Sequence, residues 1–426
     1  MAKVAVIGAG TMGLAAAYHL AKAGYRVEVF EADKIPGGMA AHFDLAGLSI
    51  ERFYHFVCKA DRPTFELLAE LGLGDAMRWR PTSMGYFYNG RVYPWGDPIS
   101  LLTFPHLDLV SKLRYGLMTF MSIHRRDWST LDKITAEQWL KDWCGPRGWA
   151  VLWEKLFHLK FFEYSDKVSA AWMWSRLKRV GSSRRSVFQE ELGYIDGGSE
   201  TLVKGLVERI EAMGGRIHLD TPVSEVHIER NAVTGLTARG GHHVFSHVIS
   251  TMPLPLVPRL IPALPEPVKA AYERLENIGV VCVVHKLKRP VTKNFWLNIS
   301  DPNIDIPGIV EFSNLRPLKD HVVYVPYYMP ITHPKFSWNG DELISESFGY
   351  LKRINPALND NDRIASALGR LKYAQPICPP GFLDALPPVQ SEVRGLQIAD
   401  TSSYYPEDRG ISEGVRLARE MAARVQ

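Results

Sequence analysis

The first thirty residues have a hydrophobic pattern that predicts one strand–helix–strand unit. A continuous apolar run from Lys3 to Ile7 predicts a short buried strand of the kind found in parallel sheets. Leu14 to Ala23 predicts a helix, and Gly24 follows it, as glycine commonly does after the last turn. Tyr25 to Phe30 then alternates apolar and polar positions, which predicts a second strand. Together these elements form a βαβ unit.

The stretch from about Thr82 to Arg185 has a different character. Seven of the eleven tryptophans lie between Trp128 and Trp174. Apolar positions recur at helical spacing, for example in Leu107 to Ser122 and Ala136 to Trp143. We therefore predict an inserted, mainly helical region.

After Gly193 the pattern of alternating strands and helices returns. It predicts two helices, Glu200 to Met213 and Ser412 to Val425, at the start and end of this part. The runs at Val280 to Lys286 and Val322 to Tyr328 indicate an antiparallel sheet in a second domain. The other predicted strands are Arg216 to Leu219, Val223 to Arg230, Val233 to Ala238, Val248 to Thr251 and Leu396 to Ala399.

Composition sets limits on the class of protein. A chain of 426 residues is too long for one simple core, so we expect two intertwined domains. The 50 basic and 46 acidic side chains nearly balance, which gives no reason to expect a nucleic-acid partner. The four cysteines form no CxxC pair, so we expect no metal site and no dithiol site.

Targeting signals are also weak in this sequence. Isolated thiols are typical of a reducing compartment, which favours a cytoplasmic protein. The apolar N-terminus is interrupted by glycines and has only Lys3 as a basic flank, unlike a secretory signal. No stretch approaches the roughly 20 uninterrupted apolar residues of a spanning helix. We expect a dissolved protein, or one attached at most to one membrane face.

The strongest motif is the glycine-rich turn between the first strand and helix, Gly8-Ala9-Gly10-Thr11-Met12-Gly13. Gly8 permits a tight turn, Gly10 lets a pyrophosphate approach the backbone, and Gly13 lets helix and strand pack closely. A phosphate there would meet free N–H groups at the positive end of the helix dipole. Glu31, followed by Ala32, ends the second strand where a ribose-binding acid belongs. The pattern predicts a Rossmann-type dinucleotide-binding domain.

A second glycine motif, Gly37-Gly38-Met39, follows shortly after Glu31. In this respect the chain resembles the flavin-containing amine oxidase superfamily. That superfamily includes protoporphyrinogen oxidases, phytoene desaturases and monoamine oxidases, with UDP-galactopyranose mutase as a more distant relative. The resemblance implies FAD as the cofactor. Relatives usually have arginine where this chain has Met39, so a pyrophosphate contact is either missing or supplied elsewhere, with Arg52 as one candidate.

Two later segments extend the resemblance toward the C-terminus. Val223 corresponds to a residue whose backbone meets adenine in relatives. Asp400 corresponds to the acid on the ribityl–pyrophosphate side, although Ala399 stands where relatives have glycine. Gly410 and Ile411 begin the final helix, whose N-terminus faces the pyrimidine edge of the flavin in relatives. A positive dipole end there would stabilise negative charge on reduced flavin.

The predicted fold is therefore α/β (α+β overall). It comprises a Rossmann-type FAD-binding domain, a mixed-sheet substrate domain and an inserted helical region. The FAD-binding domain is expected to take residues 1–80, 190–250 and 390–426. The substrate domain is expected to take residues 81–189 and 251–389.

The candidates for catalytic residues are His55, Tyr328 and Tyr405. Relatives approach the isoalloxazine at the distance from the glycine motif where His55 lies, and histidine can handle a proton near neutral pH. Tyr327 and Tyr328, with Tyr404 and Tyr405, are candidates for an aromatic substrate cage. The alternative is that these side chains only fill the core. Lys286 is the nearest candidate for the lysine beside the flavin of amine oxidases.

Cations cluster at Arg176 to Arg179 and at Arg184 and Arg185, beside tryptophans. Either this run anchors the protein to a membrane surface, since cations and tryptophans favour the headgroup region, or it is a solvated loop. We favour the solvated loop.

The sequence supports an FAD-dependent oxidoreductase of the protoporphyrinogen oxidase and amine oxidase type, which transfers hydride from a substrate C–H bond to flavin. The substrate is a small molecule or is lipid-linked, and the oligomeric state stays open. One alternative is a non-redox flavin-dependent mutase acting on a nucleotide sugar. Another is a flavin-binding protein without catalysis.

Overall fold

The computed structural model describes residues 2–425. Strands and helices are numbered separately in chain order. The strands are β1 (Lys3–Ile7), β2 (Arg26–Phe30), β3 (His42–Asp44), β4 (Ser49–Glu51), β5 (Met77–Thr82), β6 (Met84–Tyr88), β7 (Arg91–Trp95), β8 (Arg184–Ser186), β9 (Gln189–Ile195), β10 (Arg216–His218), β11 (Val223–Glu229), β12 (Ala232–Ala238), β13 (Gly241–Val244), β14 (His247–Ser250), β15 (Asn277–Leu287), β16 (Trp296–Ser300), β17 (Gly308–Glu311), β18 (His321–Met329), β19 (Arg363–Pro376) and β20 (Leu396–Ile398). The helices are α1 (Thr11–Lys22), α2 (Arg62–Glu70), α3 (Pro98–Thr103), α4 (Leu109–His124), α5 (Ala136–Leu152), α6 (Glu154–Phe161), α7 (Ala170–Ser182), α8 (Ser199–Ala212), α9 (Val257–Leu260), α10 (Glu266–Glu273), α11 (Gly340–Ile354), α12 (Phe382–Ala385) and α13 (Ile411–Ala423).

A five-stranded parallel sheet in the order β10-β2-β1-β14-β20 forms the first layer. The central strand β1 is apolar on both faces because both faces are covered. Val4 and Val6 of β1 pack with helices α1, α8 and α13, whereas Ala5 and Ile7 pack toward the small sheet β11-β12-β13. The predicted βαβ unit at the N-terminus is confirmed.

A seven-stranded mixed sheet in the order β19-β15-β18-β17-β16-β6-β7 forms the second domain. Its pairings are antiparallel except for the parallel pair β16 and β6. The central strand β15 is apolar almost throughout, since it is covered on both faces. This arrangement confirms the predicted fold class, an α/β chain with a mixed second sheet.

The helical region begins later than the sequence pattern predicted. Residues 82–95 are not helical, because β6 and β7 form a hairpin that extends the seven-stranded sheet. Helices occupy residues 98–182, and Trp139, Trp149, Trp172 and Trp174 are buried among them. The enrichment in tryptophan therefore correctly indicated a helical core. The two strands before it, β6 and β7, are too short for their sequence pattern to distinguish them from the helical region.

Two of the longer elements of the fold were not predicted from the sequence pattern. Helix α11 and the long strand β19 were not predicted, although α11 has a capping box at Asn339 and Glu342.

Within residues 2–425, no helix combines the length and the apolar character that are needed to cross a bilayer.

Glu311, in the seven-stranded sheet, is expected to make the stability of the protein depend on pH. This side chain at the end of β17 is fully buried and accepts hydrogen bonds from the backbone N–H groups of Val291 and Thr292. Burial raises its pKa from 4.5 to about 8, more than these hydrogen bonds lower it. The folded protein therefore holds this proton more tightly than the unfolded chain does.

We expect Glu311→Gln to flatten the loss of stability with rising pH. From about pH 5 to about pH 8 the unfolded chain has released this proton and the folded protein has not. The free energy of unfolding should therefore fall with pH by up to about 1.4 kcal/mol per unit from this group alone. Denaturant unfolding of both proteins at intervals across this range tests the expectation. Parallel pH profiles for the two proteins would contradict it.

Candidate functional site

A cavity of about 570 Å³ lies between the carboxyl edge of the five-stranded sheet and the seven-stranded sheet. Parallel strands place their carboxyl ends at one edge, so the residues after each strand meet there. Gly8 follows β1, Glu31 follows β2, Thr251 follows β14 and Asp400 lies two residues beyond β20, and all four line the cavity. The volume is in the range of cofactor and ligand sites.

The glycine turn after β1 has a backbone conformation that leaves the N-terminus of α1 uncapped by any side chain. Gly8 adopts a φ of 100°, which glycine permits and other residues rarely adopt. Helix α1 then begins at Thr11 with Gly10 as its N-cap, and no side chain caps it. Gly10 also pairs with Gly37, so the two glycine motifs lie side by side. The first-turn N–H groups of α1 therefore face the cavity edge without a side-chain acceptor.

The predicted acid lies beside this turn. The carboxylate of Glu31 accepts hydrogen bonds from the backbone N–H groups of Ala9 at 2.6 Å and Asp33 at 2.8 Å. Ala32 and Met39 line the cavity next to it. Arg52, the candidate replacement for the missing arginine, instead pairs with Asp33 at 2.5 Å and does not line the cavity.

The C-terminal segment contributes a second open helix end. Asp400 accepts hydrogen bonds from the backbone N–H groups of Leu254 and Ser402, which fixes the loop after β20. Helix α13 begins at Ile411 with Gly410 as its N-cap, again without a side-chain cap. The hydroxyl of Ser412 is buried there without a partner. This helix N-terminus lines the same cavity as the glycine turn.

Of the predicted cofactor-binding residues, the structure places thirteen on the cavity wall. Ala9 and Gly13, in the same glycine turn, do not line the cavity. Val223 reaches the cavity from the start of β11, a different sheet. The residues on the wall are Gly8, Gly10, Thr11, Met12, Glu31, Ala32, Gly37, Gly38, Met39, Val223, Asp400, Gly410 and Ile411.

The structure separates the predicted catalytic residues. His55 lines the cavity, its Nδ1 is buried without a partner, and burial lowers the pKa of the imidazole, so it is neutral at pH 7. Tyr328 lines the cavity and its hydroxyl accepts a hydrogen bond from Arg409 at 2.9 Å. Tyr405 does not line it, because its hydroxyl is held by Ser169 at 2.7 Å and by Asp132.

Of the remaining candidates for the aromatic cage and for the lysine beside the flavin, only Tyr404 lines the cavity. Adjacent residues of a strand point to opposite faces, so Tyr327 packs into the far side of the seven-stranded sheet while Tyr328 faces the cavity. Tyr404 lines the cavity. Lys286 lies away from it, bonded to the carbonyl of Ala46 and paired with Asp320.

Alternate residues of three neighbouring strands form an apolar and aromatic wall, of which the sequence had indicated only Tyr328. On β15 these are Val280 and Cys282, on β19 Leu371 and Tyr373, and on β18 Pro326 with Tyr328. Trp296 adds a further ring, packed edge-to-face against Tyr54 at 5.5 Å between ring centroids. Strand β15 is apolar on both faces, so its sequence contains no alternation that could have identified which residues face the cavity.

A cluster of charged side chains lines the cavity beside the N-terminus of α13. Arg409 lies within the wall and also donates to the carbonyl of Ala374. Asp408 pairs with Arg176. Burial opposes ionisation of Asp408, but Arg176, Lys160 and Arg409 outweigh it and lower its pKa to about 2. The site therefore carries fixed charge at neutral pH.

Two residues of the predicted cation run, Arg176 and Arg179, belong to this cluster and are not in a solvated loop, whereas Arg185 is exposed. Arg176 and Arg179 lie on α7 and line the cavity, where Arg179 forms two hydrogen bonds to Asp61 at 2.7 and 3.1 Å. Helical spacing put both arginines on the inner side of α7. The run is therefore also not a membrane anchor at these two positions.

Glu407 is a titratable group that the sequence reading did not single out. It lines the cavity, and burial together with Glu413 raises its pKa to about 7. A carboxyl group with that pKa can take up or release a proton at neutral pH.

The arrangement fits a dinucleotide that carries a redox ring. One open helix end suits a diphosphate, and the other suits a group that becomes negatively charged. The glycine turn leaves room for close approach, and the buried hydroxyl of Ser412 and the Nδ1 of His55 are left for a ligand. The aromatic wall would enclose a flat ring.

The sequence and fold match known proteins. A family model described as flavin containing amine oxidoreductase matches residues 13–342. A 15-cis-phytoene desaturase from an Oncidium hybrid cultivar is 24% identical over 311 residues, which cover 66% of this chain and 52% of the desaturase. Protoporphyrinogen oxidase 2 of Arabidopsis thaliana is 36% identical over 123 residues, which cover 28% of this chain and 24% of that protein. The chain spans about half the length of the desaturase relatives it matches.

The fold also matches solved structures over its whole length. Cyclohexylamine oxidase from Brevibacterium oxydans IH-35A superposes with a TM-score of 0.76 at 16% identity, covering 100% of this chain and 98% of that one. At this identity the match establishes the fold alone.

Proposed function

This chain belongs to the family of flavin-containing amine oxidoreductases, and we propose that it is an FAD-dependent oxidoreductase that oxidises a C–H bond of an organic substrate. One observation carries the proposal. A single cavity joins the glycine turn, Glu31 and the N-terminus of α13 to an aromatic wall supplied by a second domain. A dinucleotide bound along the first set of groups would place its redox ring beside the second.

FAD would be held by groups from both ends of the chain. The N–H groups at the start of α1 would bind the diphosphate, Glu31 the adenosine ribose, and the Asp400 loop the ribityl side. Bound there, FAD would supply a two-electron acceptor.

The protein groups around the ring would orient the substrate, exclude water and hold charge. The N-terminus of α13 and Arg409 would place positive potential where negative charge develops on reduction. Neutral His55 offers a hydrogen-bonding nitrogen inside the cavity, and Glu407 offers a carboxyl that exchanges a proton near neutral pH. His55, with Tyr328, is the catalytic candidate that the cavity geometry supports.

The wall chemistry favours a substrate with a large apolar part. Aliphatic and aromatic side chains surround the space that faces the second domain, so a lipophilic small molecule or a lipid-linked compound suits it. The curated relatives include desaturases of carotenoids by name, which agrees with this class. The relatives give the nucleotide-sugar mutase alternative no support.

Anaerobic mixing tests the proposal. Purified protein should be yellow, and a substrate should bleach the flavin band at about 450 nm without added reductant. Turnover of a nucleotide sugar only after dithionite reduction would overturn oxidation in favour of the mutase. Yellow protein that neither bleaches with lipophilic alcohols, amines and polyenes nor accelerates reoxidation of reduced flavin would indicate binding without catalysis.

A further inference from the structure

Helices α3 and α4 carry an exposed apolar surface that the cavity does not use. Eight large apolar side chains between residues 99 and 121 are at least half exposed, out of eighteen exposed large apolar side chains in residues 2–425. Dissolved proteins seldom expose apolar residues in such density unless the surface binds something. We call this surface the α3–α4 face. Its members are Ile99, Leu102, Leu109, Val110, Leu113, Leu117, Phe120 and Met121.

Helix α4 is amphipathic in the reverse sense to an ordinary surface helix. At 3.6 residues per turn, its six exposed apolar residues fall within an arc of about 120°. The opposite side packs against the protein and carries Ser111, Met118 and Ser122, all buried. The buried side of α4 therefore carries two serines and Met118, whereas its leucines are exposed. Packing within this chain does not explain why the leucines lie on the exposed side.

The charges around the α3–α4 face are mostly positive. Residues 97–127 contain Lys112, Arg114, Arg125 and Arg126, against Asp97, Asp108 and Asp127. Asp97 and Asp108 are engaged as the N-caps of α3 and α4, where Asp108 accepts from the N–H of Ser111 at 2.9 Å, and Asp127 accepts from the N–H of Ser129. An apolar stripe bordered by cations is the pattern of a helix that lies in the interface of a bilayer.

We propose that the α3–α4 face seats this protein on a lipid surface rich in anionic headgroups. The apolar arc of α4 would enter the acyl boundary, and the flanking cations would meet the headgroups. A second copy of this chain fits the face less well, because a symmetric pairing would bring the cations of both copies together across it. A lipid surface relieves both the exposed apolar area and the unbalanced charge.

The α3–α4 face also lies close to the cavity. The indole N–H of Trp174 on α7 donates to the carbonyl of Ser122 on α4 at 2.9 Å, so the two helices pack together. The next turn of α7 supplies Arg176, Arg179 and Val180 to the cavity wall. Helices α4 and α7 therefore lie between a bilayer docked on the α3–α4 face and the cavity. Docking itself does not depend on the proposed oxidation.

Vesicle sedimentation tests this inference. The full chain should sediment with vesicles of phosphatidylcholine and about 30% phosphatidylglycerol and much less with phosphatidylcholine alone. Leu113→Gln with Leu117→Gln should weaken binding about tenfold or more, since both side chains enter the apolar layer. The matched control is Val244→Gln with Ile364→Gln, two apolar residues exposed on other sheets, which should bind as the parent does.

Thermal stability and flavin content are measured on the same protein samples. Both double variants should keep the parent's circular dichroism melting curve and flavin content, because all four side chains are exposed and glutamine is a good helix former at the two positions in α4. The inference would be overturned if the two double variants lost vesicle binding equally, or if the parent did not sediment with vesicles. It would also be overturned by a parent that forms dimers, seen by sedimentation velocity, which Leu113→Gln with Leu117→Gln dissociates while vesicles stay unbound. None of these results bears on substrate bleaching of the flavin.

Discussion

Gly13→Ala is expected to give a folded protein that purifies without flavin, with affinity for FAD lowered about 100-fold or more. An added Cβ at this position would lie 1.9 Å from the carbonyl oxygen of Gly8 and 3.1 Å from the hydroxyl of Thr251. The Gly8 oxygen is backbone and cannot rotate away, so the turn after β1 must shift. That shift moves the N–H groups at the start of α1 away from the phosphate. Flavin absorbance after purification and a fluorescence titration with FAD measure the effect.

The matched control is Gly349→Ala. Gly349 lies inside α11, where an added Cβ meets no heavy atom within 4 Å. Alanine is the better helix former by about 1 kcal/mol, so this variant should keep its flavin and unfold at slightly higher denaturant concentration. If Gly13→Ala retained as much flavin as Gly349→Ala, the glycine turn would not be the diphosphate site.

The elements at the edge of the parallel sheet were within reach of the sequence. Each is a local pattern: an apolar run, then a glycine or an acid at a fixed offset. Because parallel strands end at one edge, Gly8 and Glu31 could be placed together without knowing any contact between them. Asp400 and the helix N-terminus at Gly410 followed from the resemblance to the flavin-containing amine oxidases. These residues all line the cavity in the structure.

The second wall could not be placed this way. Which of two adjacent tyrosines faces the cavity depends on strand register, and register is set by pairing between distant parts of the chain. On β18, Tyr328 faces the cavity and Tyr327 does not. Tyr404 and Tyr405 lie in the helical turn after β20, where Tyr404 lines the cavity and the hydroxyl of Tyr405 is held by Ser169 and Asp132. Arg176 and Arg179 were predicted to be solvated because their carboxylate partners, Asp408 for Arg176 and Asp61 for Arg179, are each more than a hundred residues away. Charge partners of that kind leave no local signal.

The outward leucines of α4 show a further limit of periodicity. A period of 3.6 predicts the helix and its apolar stripe, but it does not tell which side the rest of the protein covers. The sequence therefore predicted helix Leu107 to Ser122 near its true position, Leu109–His124, and gave no sign of its reversed face. Only the packing of Ser111 and Ser122 inward reveals it.

Arg409→Met is expected to lower the flavin midpoint potential by roughly 30–60 mV while leaving FAD bound. The guanidinium of Arg409 lies beside the N-terminus of α13 and is oriented by Tyr328 and the carbonyl of Ala374. Its positive charge would favour the reduced, anionic cofactor over the oxidised one. Loss of one such interaction corresponds to about 1.4–2.8 kcal/mol for a two-electron couple. Anaerobic equilibration with a reference dye measures the potential and needs no substrate.

Two companion variants separate charge from structure in this prediction. Arg409→Lys keeps the positive charge and should recover most of the potential, although a lysine cannot bond Tyr328 and Ala374 together. Tyr328→Phe keeps the guanidinium and removes one partner, so it should shift the potential less than Arg409→Met does. If Arg409→Met kept the parent potential with full flavin content, the charge would play no electrostatic part in reduction. Reduction would then be stabilised by the N–H groups of α13 alone.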